Sequence, residues 1–375
     1  MTPARTWVLL VFIAAAVTLG VLALAAFLER RAPGRDAFRQ APIPRIDVHQ
    51  HVGPGTLDDA MRLGGVWGVP ALVNLDGDTV DGQLPAQLAS AARFPGRVQV
   101  FMGVDFQGCC GEDWVGRELA RLVQGKAAGA RGVKVYKDLG LAVRDADGRV
   151  PVDSPRLEPI WDLVARLRLP VAIHAGDPRA FFEPPGPENE RAEELGLVPQ
   201  WSFADRGRFP DWATLHAEFV RLVERHPRVV FIGAHFGNDA EDPEAVSRLL
   251  DRLPNLHVDT AARVPELGRR AEAARATILR HPGRVLYGTD IIWIERGGAK
   301  GLILGAGRPG GAEDVIRFFQ GTFRFFETRD RDIESPTPVQ GRWTVEGLGL
   351  PREVLEQVYH RNAERLLGFR LGDAP

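Results

Sequence analysis

The chain has 375 residues, 45% of them hydrophobic and 26% charged, which is the composition of a folded globular protein. A net charge of −2 gives no electrostatic footprint for nucleic acid, which excludes that partner class. Only two cysteines occur, Cys109 and Cys110, adjacent in the chain, so neither a disulfide framework nor a cysteine-built zinc cluster is available. Any metal must be held by histidines and carboxylates.

The first element is an uncharged run from Trp7 to Phe27, long enough to cross a bilayer core of roughly 30 Å as a helix. It reads as an uncleaved transmembrane anchor. A signal peptide is the alternative, with Ala23-Leu24-Ala25 as its cleavage signature. Either reading puts the protein at a membrane, and a signal-like start favours an extracytoplasmic domain. Basic residues flank both ends and leave orientation open. Residues 1–31 are thus an anchor or signal segment, 32–44 a Pro/Arg/Gly-rich tether, and 45–370 a catalytic domain.

After the tether, short apolar runs alternate with helical periodicity. Strands are expected to begin near Arg45, Pro70, Arg97, Arg131, Pro170, Val229, Asn255 and Arg284. Helices are expected over Leu157–Leu167, Trp212–Glu224, Pro243–Leu253 and Arg269–Leu279. This alternation predicts an α/β fold with a parallel sheet, and its spacing fits a (β/α)8 TIM-type barrel preceded by the N-terminal transmembrane or signal helix. A doubly wound open sheet is weakened by the lack of a Gly-rich phosphate loop after the first strand.

Side chains alternate across a strand, so parity predicts direction. Taking Ile46 and Val48 as facing the helices turns Asp47, His49 and His51 inward. By the same rule Lys134, Tyr136, His174, His235 and Asp290 face inward, with Val230, Ile232 and Ala234 facing out. Each polar residue sits at the C-terminal end of its strand, where barrel enzymes build their active sites. His-x-His on a strand suits two ligands of one ion, and His174, His235 and Asp290 converge on the same centre. Nitrogen and carboxylate donors suit Zn²⁺, with Mn²⁺ or Fe²⁺ as alternatives.

The runs RIDVHQH (Arg45–His51), VAIHAGD with His174, FIGAHFGN with His235 and VLYGTD with Asp290 resemble the metal-site signature of the amidohydrolase superfamily. The tail YHRNAERLLG resembles the closing helix of its amidohydrolase-related branch, which contains both hydrolases and non-oxidative decarboxylases. The resemblance implies that His49, His51, His174 and Asp290 bind metal. It also implies that His235 is the acid/base and polarising residue and that Asp290 accepts a proton. Lys134 is then either an ammonium that binds a substrate carboxylate beside one ion, the arrangement favoured here, or a carboxylated bridge between two ions. The expected activity is hydrolysis of a cyclic ester, amide or related carbonyl compound by metal-activated water. Decarboxylation of an unsaturated or aromatic acid, or a catalytically silent membrane-anchored binding protein, are the alternatives.

Asp47 is a candidate partner for a ligand histidine. Asp259 and Arg263 either shape the pocket or form a structural ion pair. His216, His226, His257, His281 and His360 read as structural. The long segment 176–209, with Phe181, Phe182, Trp201, Phe203 and Arg191, reads as a lid, and 291–311 as a second flap. Arg191, Arg263, Arg324 and Lys134 are the candidate substrate-binding cations for a small, carboxylate-bearing substrate. Lys137, by parity, points outward. An oligomer is open to either outcome.

Overall fold

The computed structural model describes residues 42–371 apart from 177 and 306–308. The Trp7–Phe27 segment and nearly all of the tether lie outside the described residues. Among the described residues no helix is long and apolar enough to cross a membrane.

Every expected strand start is followed by a strand. They are β1 (Ile46–His51), β2 (Ala71–Asn74), β3 (Val98–Gly103), β4 (Gly132–Val135), β5 (Val171–Ile173), β6 (Phe231–Gly233), β7 (Leu256–Asp259) and β8 (Val285–Leu286). They pair in parallel in sequential order, and the sheet continues from β1 into a hairpin, β9 (Ile291–Arg296) and β10 (Ala299–Ile303). Backbone bonds from Val48 N to Tyr287 O (2.9 Å) and from Asp290 N to His49 O (2.8 Å) bring β1 against the chain that leaves β8, so the parallel sheet curls back on itself.

The connecting helices are α1 (Leu57–Val66), α2 (Leu84–Ala91), α3 (Glu112–Ala128), α4 (Glu158–Leu167), α5 (Trp212–Arg225), α6 (Pro243–Arg252), α7 (Ala271–Arg280) and, after the hairpin, α8 (Ala312–Glu327). Their ends follow local chemistry. Asp211 caps α5 by accepting from Thr214 N, and Asp242 caps α6 by accepting from Ala245 N ahead of a proline in the first turn. In α5, Leu215, Phe219, Leu222 and Val223 recur at helical spacing and are buried.

Two apolar layers sandwich the sheet. Val133, Val135, Val171, Ile173, Phe231, Val258 and Val285 pack outward against the helices. Ile46, Val48, Val73, Phe101, Ala172, Ile232 and Leu286 form the interior cluster, joined by Ala363 and Phe369 from the C-terminal segment. Two parity expectations are therefore corrected. Ile46 and Val48 face the interior, and so does Ile232, which pairs with Ala172. In β1 the reason is a bulge: Asp47 pairs with Leu72 but Gln50 with Asn74, which places one extra residue on β1. Asp47 and Gln50 thus face outward, while Val48, His49 and His51 all reach the interior.

Cys109 and Cys110 are bonded to each other. The C-terminal helical segment ties the sheet ends together. Asn362 Nδ2 donates to Pro282 O and Val285 O at 2.7 Å, and Tyr359 Oη donates to Glu327, which also holds Arg45 at 2.6 Å.

Candidate metal centre and pocket

The strand ends bring His49, His51, Lys134, His174, His235 and Asp290 around one pocket of about 180 Å³. His49 and His51 arrive on β1. Their Nε2 atoms stand 3.4 and 3.3 Å from Asp290 Oδ1. Gly288 permits this approach, because a Cβ there would stand 3.0 Å from the His49 Cβ. Asp290 and His235 both have left-handed backbone, at φ 63° and 54°. His235 therefore reaches the centre through a turn rather than by strand parity, and its ring centroid lies 5.0 Å from that of His49 and 4.4 Å from that of His174.

The opposite ring nitrogens are held by groups that only accept. His49 Nδ1 donates to Asp259 Oδ2 at 2.8 Å and His51 Nδ1 donates to Asp76 Oδ1 at 2.7 Å. A carboxylate partner on Nδ1 leaves the lone pair on Nε2, the arrangement of metal-binding histidines. Asp259 also accepts from the backbone N–H of His235 (2.9 Å) and Ala261 (3.1 Å). Asp76 also accepts from Tyr136 Oη at 2.6 Å. His235 Nδ1 donates to the Ala261 carbonyl at 2.9 Å, which leaves its Nε2 as an acceptor too.

Among the described residues, two groups of side chains are close enough to hold an ion: His49, His51 and Asp290, and His49, His235 and Asp259. The first presents two imidazole lone pairs and a carboxylate oxygen. In the second, Asp259 is at hydrogen-bond distance from His49 and is engaged with two backbone amides. The donor chemistry of the first group fits a divalent cation better.

Electrostatics follow from burial and these partners. Burial alone would lower His51, but its bonds to Asp290 and Asp76 outweigh it and raise the imidazole to about 9, so at pH 7 its Nε2 carries a proton that a bound cation would displace. Burial alone would raise Asp290, yet His51, His49 and Lys134 hold it well below the usual carboxylate range. His235 is pushed far below an ordinary histidine by burial, reinforced by the charge of Arg263, and is neutral at pH 7. Lys134, fully buried on β4 with Nζ 3.4 Å from His49 Nε2, is pushed down by burial.

Several expectations are corrected. Asp259 is not an ion-pair partner of Arg263 but the support of His49, and Asp76 supports His51. Sequence reasoning missed both supports because nothing local marks them: Asp259 lies 210 residues from His49. Asp47 does not touch an imidazole. It accepts from the backbone N–H of His49 and Thr289 and from Gln50 Nε2, fixing the two strand ends from behind, and burial raises it to about 6.

Arg191 does not reach the pocket. It is fully buried and held by Glu194 at 2.6 Å and by Glu266, because its segment folds inward as a brace. Arg324 pairs with Asp330 on the exposed side of α8, away from the pocket. Arg263 does line the pocket, as do Phe181 and Trp201 from the 176–209 segment and Ile292 and Gly305 from the 291–311 segment. Residues 291–303 of the second form a hairpin, in which Ile292 and Trp293 pair with Ile303 and Leu302. Lys137 also lines the pocket, contrary to its outward parity, because the chain leaves β4 at Val135 and turns. Four of the other histidines are engaged elsewhere: His216 stacks on Trp212, His226 faces Glu158, His281 meets Ser247 and His360 meets Glu364.

The profile of a family described as amidohydrolase matches residues 57–369. The match begins after His49 and His51, so their placement rests on the geometry above. A search of curated proteins returns no match. Among solved structures, the chain is similar to a dihydroorotase from Campylobacter jejuni, at 12% identity and TM-score 0.52, covering 88% of this chain and 85% of that one. It is similar to an uncharacterized TIM-barrel protein from Bordetella bronchiseptica, at 14% identity and TM-score 0.51, covering 87% and 98%. It is also similar to a 2,6-dihydroxybenzoate decarboxylase from Rhizobium, at 17% identity and TM-score 0.50, covering 87% and 99%. At such identities the likeness shows the fold alone.

Proposed function

The chain belongs to the amidohydrolase family, and from that premise we propose that it is a (β/α)8-barrel hydrolase holding one divalent cation, zinc by preference, and acting on a small cyclic ester, amide or related carbonyl compound. The observation that carries this reading is the convergence of His49 Nε2, His51 Nε2 and Asp290 Oδ1, with each imidazole turned by its own carboxylate. We assign the ion to these three residues with His174 beside them. Such an ion acts as a Lewis acid and lowers the pKa of water from 15.7 toward about 7.

The chain's own groups divide the remaining work. Asp290, ionised at any working pH, is the proton acceptor nearest the ligand histidines. His235, neutral and with Nε2 toward the pocket, holds or returns a proton at the scissile group. Arg263 and Lys134 supply positive charge for a substrate carboxylate or a developing oxyanion. Lys134 touching His49 favours the ammonium role beside one ion over a carboxylated bridge between two.

Decarboxylation of an unsaturated or aromatic acid is the second reading, favoured by the three basic residues on the pocket wall, Lys134, Lys137 and Arg263. One experiment addresses both. The protein is stripped, reconstituted with Zn²⁺ or Mn²⁺, and its metal content measured; lactones and cyclic amides are then followed by proton release, and aromatic acids by bicarbonate release. Retention of one ion per chain with metal-dependent turnover is the expected result. No bound ion after reconstitution would sink both readings.

A further inference from the structure

Tyr136 immediately follows β4 and lines the pocket, yet the reaction assigned above gives it no task. Its hydroxyl crosses to the segment that follows β2, where Oη donates toward Asp76 Oδ1 at 2.6 Å and Leu75 O at 2.8 Å. A phenol has one proton to share, and a carboxylate oxygen is the stronger acceptor. The same Asp76 Oδ1 accepts from His51 Nδ1 at 2.7 Å. One oxygen therefore receives two side-chain donors, one on β1 and one just past β4, and the two rings stand 6.1 Å apart.

The carboxylates that turn the two histidines are not equally fixed. Asp259 is buried, and two backbone N–H groups hold the oxygen that His49 does not use. The Asp76 side chain is exposed to a far greater degree, and among the described residues its carboxylate is hydrogen-bonded by His51 and Tyr136 alone. The Asp76 backbone is tied, because its N–H donates to Asn74 Oδ1 and its carbonyl accepts from Gln87 Nε2, both at 3.0 Å. Neither bond stops the side chain from turning toward water. Besides the imidazole itself, the Tyr136 hydroxyl is the group that does.

We infer that Tyr136 is a positioning residue of the candidate metal centre: its hydroxyl clamps Asp76 in the rotamer that receives His51 Nδ1–H, and so keeps His51 Nε2 turned toward Asp290. On the His51 side it does what the two backbone amides do on the His49 side. This rests on the reading that an ion sits among His49, His51 and Asp290. Losing a group that supports a ligand directly typically costs about 10–100-fold in metal affinity. Tyr136 stands one step further out, so its hydroxyl is worth less, about three- to fivefold.

The test is the Zn²⁺ affinity of the stripped full chain, by competition with a chromophoric chelator. Tyr136→Phe removes only the hydroxyl and is expected to bind Zn²⁺ about three- to fivefold more weakly than the parent. In an Asp76→Ala background the same substitution should change affinity by less than about 1.5-fold, because the group it acts through is gone. In an Asp259→Asn background it should cost its full factor, because that change touches the other histidine. A general loosening of the pocket would instead lower affinity alike in all three backgrounds. An equal loss with and without the Asp76 carboxylate, or a parent that binds Zn²⁺ no more tightly than Tyr136→Phe, overturns this inference and leaves the metal reading standing. A parent that binds no Zn²⁺ sinks the metal reading, and this inference with it.

Discussion

Replacing Asp259 by Asn tests whether the site works through the tautomer of His49. The carboxylate accepts from His49 Nδ1 at 2.8 Å and from two backbone N–H groups at 2.9 and 3.1 Å. An asparagine that keeps its oxygen on the backbone amides must turn its NH₂ toward His49 Nδ1. Two donors then face each other unless the imidazole moves its proton to Nε2, which removes the lone pair that would bind metal. The opposite rotamer leaves two buried N–H groups facing an NH₂, at about 1–3 kcal/mol each. Loss of such a supporting carboxylate typically costs 10–100-fold in metal affinity, about 1.4–2.7 kcal/mol. Asp76→Asn should cost less, below about tenfold, because the Asp76 side chain is 40% exposed and water can replace it, whereas Asp259 is 1% exposed. Competition with a chromophoric chelator measures both, and thermal unfolding in EDTA shows whether the fold survives. Affinity of Asp259→Asn within twofold of the parent, or a larger loss in Asp76→Asn, would refute the reasoning.

Arg191→Met leaves Glu194 and Glu266 buried without their cation and should destabilise the protein by about 3–5 kcal/mol in urea unfolding. Arg324→Ala removes only an exposed pair with Asp330, so stability should change by less than about 0.5 kcal/mol and turnover not at all; a large kinetic effect there would return Arg324 to the pocket. His257 is held at about 3 by burial, aided by the charges of Arg284 and Arg365. Its folded pKa lies below its unfolded value near 6.5, so the unfolded chain takes up the proton first and stability falls as pH drops from 6.5 toward 3. Between pH 7 and pH 5 the parent should lose on the order of 2 kcal/mol more than His257→Gln, and equal losses in urea melts at the two pH values would contradict this.

The sheet was legible from the sequence because each strand is a short, mainly apolar run entered through a proline or glycine turn, a purely local signal. The ligand histidines and Asp290 were legible because they sit at strand ends. Parity alone was insufficient. A bulge in β1 reverses the direction of everything before His49, and the left-handed backbone of His235 sends an outward position inward. Asp76, Asp259 and Lys137 were not legible, since their roles depend on partners supplied by other strands and loops. Arg191 and Arg324 misled for the same reason: an arginine looks alike in a pocket and in an ion pair until its neighbours are known.

The pairing of His49 with Asp259 across 210 residues, and of Asp47 with Thr289 across 242, has a temporal meaning. The ribosome delivers both candidate ligand histidines early, and Asp76 follows His51 within 25 residues, but Asp259, which aims His49, and Thr289 emerge only some 200 residues later. Contacts this distant in sequence form late and slowly. A nascent chain therefore carries His49 without its orienting carboxylate until β7 has been made, whereas His51 meets Asp76 early.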